Sequence, residues 1–258
     1  MYSQKELEFN NLLTKYSNLT EEERSAYLVY KSNFFNLIND LGSISDFIDM
    51  DEDLLEKLIN NKSLEKCRIL GKALNNSNNI FIKYSLFNDV DFSDNISLIK
   101  FAKKIYQILD SAFLKITTDR DLEVYRIVSL DANDELEDLS RSNFISTTLD
   151  KEQTLEFINE SSKKILFYRI NIEAGTPIII SPYSIVNEYE SLYDLLNNTE
   201  NYSIKIRKNE GNRQKEVLLS KKSLEYSLNL EKTEEIDGQQ FYYYEVNTKV
   251  KKDRKNYL

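Results

Sequence analysis

The sequence contains no histidine and only one cysteine, Cys67, among its 258 residues. Without imidazole groups, histidine general acid–base catalysis, Ser-His-Asp triads and histidine-rich metal sites are excluded. A single cysteine cannot form an internal disulfide, and a chain without histidine cannot complete a structural zinc site around it. The chemistry must therefore be carried by carboxylates, amides, hydroxyls and guanidinium groups, and we expect no metal.

Glycine and proline are also scarce, with five and two residues respectively. So few chain breakers argue against linkers and low-complexity tails, and favour a single domain over 1–258. No apolar run approaches the roughly 20 residues that cross a bilayer, and the first residues lack the layout of a signal peptide. With 34 basic and 43 acidic residues, the net charge of −9 disfavours a broad nucleic-acid-binding surface. We expect a monomer without a membrane span that acts in a cytoplasm, either of its own cell or of a host.

The first half of the chain has the periodicity of helices. Thr20 and Glu23 have the spacing of a capping box, and apolar residues then recur every three or four positions up to Leu41. The acidic run Asp51-Glu52-Asp53 is typical of a helix N-terminus, where negative charge is favourable. A further apolar stripe over 101–113 predicts another amphipathic helix.

From about residue 122 the pattern changes to that of strands. Alternating or fully apolar runs predict strands at 122–128, 164–172 and 177–180, and Asp237-Gly238 predicts a hairpin near the end of the chain. Helices first and strands later indicate an α+β architecture. We expect a helical lobe over about 1–116 and a β-rich core over about 117–258.

Three short segments each place one polar group at the edge of a strand-like apolar run. They are Val124-Tyr125-Arg126-Ile127-Val128, Phe144-Ile145-Ser146-Thr147-Thr148 and Gln214-Lys215-Glu216-Val217-Leu218-Leu219. Taken singly, each is most simply a solvated strand residue or a salt-bridge partner. Together, Arg126, Ser146 and Glu216 supply the cation, hydroxyl and carboxylate needed to hold a phosphorylated cofactor and to stabilise a sugar cation.

The order of these segments resembles the arginine–serine–glutamate class of mono-ADP-ribosyltransferases, in the branch of the clostridial Rho-inactivating exoenzymes and the binary-toxin catalytic domains. There an aromatic-Arg strand precedes a Ser-Thr-Ser strand, and Gln-x-Glu or Glu-x-Glu leads into an apolar strand. The resemblance extends from about Leu19 to Val250 and includes Tyr30 and Ile38-Asn39 in the first helices. It implies N-terminal helices followed by a mainly antiparallel, two-sheet ADP-ribosyltransferase fold.

The same resemblance implies an enzyme that cleaves NAD and transfers ADP-ribose to a macromolecule, acting as a toxin or effector. Glu216 would stabilise the sugar cation, Ser146 would orient Glu216, and Arg126 would bind the pyrophosphate. Gln214 would hold the acceptor, and because an amide pairs well with another amide, we expect an Asn or Gln side chain of a target protein. The implied NAD contacts are Arg126, Tyr30, Ser146, Thr147, Lys163 and Glu216.

The sequence departs from the family pattern at several positions. Thr148 replaces the second serine, and Leu28 stands where the exoenzymes carry an arginine, which removes one expected phosphate contact. The loop after the serine strand also lacks an arginine, and Lys163 is the nearest cation to that place. The segment 186–212 is longer than in the family, and we interpret it as an insertion that carries target specificity. It contains a Glu-x-Glu, Glu188-Tyr189-Glu190, but we prefer Glu216 because it runs directly into an apolar strand.

The sequence leaves two alternatives open. Glutamine-form members of the family also modify nucleobases, and Arg213, Lys215 and the basic tail over 249–255 would suit phosphate contacts. The chain could also be a catalytically degenerate interaction module of the same fold. Labelled NAD with nuclease or protease digestion would distinguish the acceptors, and nicotinamide release would distinguish an enzyme from a binding module.

Overall fold

The computed structural model describes residues 4–75, 86–87, 89–133, 139, 143–155, 158, 161–180, 183–186, 205–208 and 215–251. The predicted α+β architecture is confirmed, with helices preceding a mixed sheet. The helices are α1 Gln4–Thr14, α2 Glu21–Val29, α3 Phe35–Ser43, α4 Glu52–Leu58, α5 Asn61–Asn75, α6 Asn95–Ala112 and α7 Lys151–Thr154. None of the helices within these ranges is both long and apolar enough to cross a membrane.

The predicted helix starts are confirmed by their capping bonds. Thr20 Oγ1 accepts from the Glu23 amide at 3.2 Å, and the Thr20 amide donates to Glu23 Oε2 at 2.7 Å, which completes the capping box of α2. Asp51 caps α4 by accepting from the Asp53 amide at 2.9 Å. A π-helical turn, Tyr30–Phe34, joins α2 to α3.

The strands of the main sheet lie in the order β4-β7-β2-β1-β3-β9-β8. Their bounds are β1 Leu122–Leu130, β2 Phe144–Thr148, β3 Lys164–Ile172, β4 Ile178–Ile180, β7 Glu216–Ser220, β8 Leu224–Ile236 and β9 Gln239–Val250. The neighbours β3 and β9 are parallel and the other pairs are antiparallel, as the mainly antiparallel prediction requires. A separate two-stranded sheet pairs β5 Tyr183–Val186 with β6 Lys205–Lys208.

The two-sheet prediction is not confirmed in that form, because the seven strands form one continuous sheet. The continuity between its two parts rests on one register pair, Tyr125↔Thr148, whereas β1 pairs with β3 along its whole length. The sheet therefore has a weak seam between β1 and β2. Asp237 and Gly238 form the predicted hairpin turn between β8 and β9, with φ of 51° and 77°.

The chain divides into two compact units. One comprises Met1–Asn18, Phe113–Pro182 and Asn209–Leu258, and contains the seven-stranded sheet; the other comprises Leu19–Ala112 and Tyr183–Lys208. In the sheet unit, the rings of Phe113 and Phe144 stack at 5.4 Å between centroids. The division into one domain with a helical lobe and a β-rich core stays a prediction.

Candidate active site

Adjacent strands of the sheet bring together the three polar groups of the sequence motifs. Arg126 lies in the middle of β1, Ser146 in the middle of β2, and Glu216 is the first residue of β7. Because β2 lies between β7 and β1, its serine has the carboxylate on one side and the guanidinium on the other.

The register of β2 and β7 explains why Ser146 meets Glu216. Thr148 pairs with Glu216 and Ser146 pairs with Leu218, so Ser146 and Glu216 are diagonal neighbours on the same face of the sheet. The Ser146 hydroxyl donates a hydrogen bond to Glu216 Oε1. Glu216 is only 9% exposed, so its carboxylate is held in one place with little water around it.

Arg126 joins this pair through the seam between β1 and β2. The single register pair of these strands leaves Ser146 without a partner residue in β1. Instead, the Ser146 carbonyl oxygen accepts a hydrogen bond from Arg126 Nη1 at 3.0 Å. One serine thus contacts the guanidinium with its main chain and the carboxylate with its side chain. We call Arg126, Ser146 and Glu216 the polar cluster.

Thr147 is not brought to the polar cluster. Successive side chains of a strand point to opposite faces, so Thr147 faces away from Ser146. Its buried hydroxyl donates to the Val217 carbonyl oxygen at 2.6 Å, a hydrogen bond that links β2 to β7. The structure therefore gives Thr147 a role in strand pairing, and its contact with NAD stays a prediction.

Lys163 is also apart from the polar cluster. It is exposed immediately before β3, where its amide donates to the Leu130 carbonyl oxygen at 3.1 Å. Leu130 is four residues beyond Arg126 in β1, which at about 3.3 Å per residue corresponds to about 13 Å along the strand. The contact of Lys163 with NAD phosphates stays a prediction.

Tyr30 belongs to the helical unit, where it is almost completely buried. Its hydroxyl accepts from Asn39 Nδ2 at 3.4 Å, and its ring contacts Phe35 edge to face. Tyr30 and Asn39, which the family resemblance named together, are therefore in contact in the structure. The contact of Tyr30 with NAD stays a prediction. Gln214, Glu188 and Glu190 lie outside the described residues, as does most of the proposed insertion over 186–212.

A feature that the motifs did not single out lies directly before Glu216. Lys215 has a φ of 25°, and its ammonium group lies 3.1 Å from Asp150 Oδ2. Lys215 is 8% exposed, although lysine is normally found at the surface. Local sequence patterns do not predict this ion pair, because Lys215 and Asp150 are 65 positions apart.

A charged network crosses strands β1, β3, β9 and β8. The register aligns Thr148 with Tyr125, Tyr125 with Arg169, and Arg169 with Glu245. Arg169 also bonds Glu231 at 2.6 Å. Burial lowers the pKa of Arg169, but the charges and hydrogen bonds of these glutamates outweigh it and the pKa is raised. Burial, reinforced by a hydrogen bond to Glu123 and by its charge, raises the pKa of Tyr125 to about 12.

Within the described ranges, no group of three or more Cys, Asp or Glu side chains is arranged to hold a metal ion. The absence of a metal requirement stays a prediction.

Comparison with solved structures finds proteins of the class that the motifs resemble. The chain is similar to an ADP-ribosyltransferase from Clostridium botulinum, with 10% identity, 96% of each chain covered and a TM-score of 0.40. It is similar to the C3 exoenzyme of Clostridium limosum, with 10% identity, 92% of this chain and 90% of that chain covered, and a TM-score of 0.38. The enzymatic component of the Clostridium botulinum C2 toxin matches with 15% identity, 96% of this chain and 47% of that chain covered, and a TM-score of 0.33.

No protein-family model and no curated protein matches the sequence.

Proposed function

We propose that this chain is a NAD-dependent mono-ADP-ribosyltransferase that transfers ADP-ribose to an Asn or Gln side chain of a target protein. The observation that carries the proposal is the hydrogen-bonded polar cluster, in which Ser146 contacts both Arg126 and Glu216. These are the three groups of the resembled motif, and they meet although 20 and 70 positions separate Arg126 and Glu216 from Ser146.

The chemistry of the cluster suits the cleavage of a nicotinamide–ribose bond. When this bond breaks, nicotinamide leaves with the bonding electron pair and positive charge develops on the ribose. A fixed carboxylate stabilises that charge, and it is most effective where little water competes. Glu216, which is mostly buried and bonded to Ser146, meets both conditions. Arg126 would bind the pyrophosphate, because a guanidinium matches the geometry of phosphate oxygens.

The acceptor completes the reaction. The amide nitrogen of the acceptor side chain would attack the ribose carbon that nicotinamide leaves, and it would lose a proton as the new carbon–nitrogen bond forms. We assign the recognition of this side chain to Gln214. We further propose that the protein acts as a monomeric toxin or effector in a cytoplasm, with target specificity carried by 186–212.

Transfer to a nucleobase is the less favoured alternative. That alternative used Lys215 as a phosphate contact, yet the Lys215 ammonium group is paired with Asp150 and is mostly buried. A buried, paired cation is a poor ligand for a solvated phosphate backbone, because its ion pair must first be broken. A degenerate interaction module is also less favoured, since such a module has no need for the bonded cluster.

The test is nicotinamide release from NAD by the purified chain and by Glu216→Gln. The wild type should turn NAD over, and Glu216→Gln should reduce turnover by at least about a hundredfold, since a neutral amide cannot stabilise the sugar cation. Glu225→Gln, at an exposed position of β8, is the matched control and should keep the wild-type rate. Substantial activity in Glu216→Gln, or its loss in Glu190→Gln instead, would refute the assignment of the carboxylate.

The acceptor is tested separately. Labelled NAD is incubated with cell lysate, and the labelled products are then digested with protease or with nuclease. Label released as modified peptides carrying ADP-ribosylated Asn or Gln supports the proposal, and label in nucleotides contradicts it.

A further inference from the structure

The backbone immediately before Glu216 has a conformation that its residue type disfavours. Lys215 has a φ of 25°, in the region where the Cβ of an L-residue crowds its own backbone. The other non-glycine residues with positive φ among those described are all aspartates: Asp46, Asp89 and Asp237. Aspartate tolerates this region because its short side chain can bond locally, whereas lysine has no such compensation. A strained residue persists only when its surroundings hold it there.

Two contacts hold Lys215, and both lead to the segment that follows β2. Its carbonyl oxygen accepts from the Leu149 amide at 3.1 Å, and its ammonium group pairs with Asp150 at 3.1 Å. The Lys215 side chain is 9% exposed and that of Asp150 is 29% exposed. Solvent therefore screens this pair less than an ordinary surface ion pair.

Asp150 is itself fixed by its neighbours. Its amide donates to Thr148 Oγ1 at 3.0 Å, and its other carboxylate oxygen accepts from the Glu152 amide at 3.2 Å at the start of α7. Thr148 is the register partner of Glu216. The end of β2 and the residues after it therefore contact two successive residues. Leu149 and Asp150 bond Lys215, and Thr148 pairs with Glu216.

We propose that Lys215 and Asp150 are a positioning pair that holds the chain before Glu216 in its left-handed conformation and thereby keeps the Glu216 carboxylate on the Ser146 hydroxyl. The inference rests on the proposed function, in which Glu216 faces the sugar. Neither member of the pair is a catalytic residue, because each acts through the placement of Glu216.

Two variants remove the pair with little other change. Asp150→Asn removes the charge but preserves the cap of α7, because asparagine caps helices as well as aspartate does. Lys215→Met keeps the long apolar stem and removes the ammonium group. Lys215→Arg keeps the positive charge, so its kcat should be close to that of the wild type and above that of Lys215→Met. Lys151→Met is the matched control, since it removes an exposed cation next to Asp150 that does not belong to the pair.

The kinetic readout is the division of the effect between kcat and KM for NAD. Displacement of Glu216 weakens an interaction made in the transition state, so kcat should fall on the order of ten- to a hundredfold. KM should change less than about twofold, because the proposed pyrophosphate contact, Arg126, is not altered. The double variant should be no worse than the worse single one, since both remove the same interaction. A role in stability alone would lower the melting temperature and leave kcat per folded molecule unchanged, which would overturn the proposal.

The structural readout does not depend on activity. In a crystal structure of Asp150→Asn, residue 215 should leave the positive-φ region and Glu216 should move away from Ser146. A structure in which both are retained would overturn the proposal. If the wild type releases no nicotinamide, the proposed function fails and this structure alone decides the positioning pair. If the wild type is active and Glu216→Gln is inactive, a wild-type kcat in Asp150→Asn would refute the proposal of a positioning pair and would still support the proposed function.

Discussion

Replacement of Ser146 by alanine is the sharpest test of how the polar cluster works. The change removes one hydroxyl, which in the structure donates to Glu216 Oε1, and leaves the main-chain carbonyl that accepts from Arg126. Serine and alanine are close in size, so the strand pairing of β2 with β7 should survive. The variant therefore separates the orientation of the carboxylate from the binding of the guanidinium.

The expected magnitude follows from the burial of the carboxylate. A hydrogen bond to a charged group contributes about 1.5–3 kcal/mol. With Glu216 only 9% exposed, water replaces the lost donor poorly, so most of that contribution is lost. At about 1.36 kcal/mol for each tenfold change in rate, kcat should fall by a factor of roughly 10 to 150. KM for NAD should rise less than about threefold, since the Arg126 contact with Ser146 uses the main chain.

The assay is nicotinamide release over a range of NAD concentrations, with the folded fraction of each variant taken from urea unfolding. Ser25→Ala is a suitable control, because Ser25 is also a buried serine and its hydroxyl donates to the Glu21 carbonyl oxygen at 2.8 Å, in the helical unit. It should keep the wild-type kcat. A Ser146→Ala enzyme with unchanged kcat and a KM raised about tenfold would refute the reasoning, since Ser146 would then bind the substrate without orienting Glu216.

Two further predictions concern stability. Gly71→Ala in α5 should lower the free energy of unfolding by about 1–2 kcal/mol in urea titrations, because the new Cβ would meet the buried Phe92 ring at 2.0 Å. This clash outweighs the higher helix propensity of alanine. A variant of equal or greater stability would contradict this packing. The raised pKa of Tyr125, about 12 in place of about 10, means that folding favours its neutral form. Its contribution to stability should be complete below about pH 10 and should be lost as the pH rises to about 12. Tyr125→Phe should flatten that decline, and an unchanged pH profile in this variant would count against the shift.

Local patterns predicted the secondary structure well because the interactions responsible are close in sequence. The Thr20–Glu23 capping box spans three positions, and the Asp237-Gly238 turn depends on two adjacent residues that accept positive φ. The fully apolar run that begins at Pro177 became a buried strand over Ile178–Ile180, as its composition predicted. The resemblance to a known family then selected Arg126, Ser146 and Glu216 from among many similar residues, and the sheet brings these three together.

The sequence by itself thus determined several of the helices and strands, their order and the identity of the polar groups, since side-chain periodicity and capping act over a few residues. Only the tertiary structure decided which groups meet. Strand register sets Glu216 diagonally across from Ser146 and turns Thr147 to the opposite face, because successive side chains of a strand alternate. The pairing of Lys215 with Asp150 is equally a product of the fold, because it joins residues 65 positions apart and the positive φ of Lys215 persists only where its surroundings hold it.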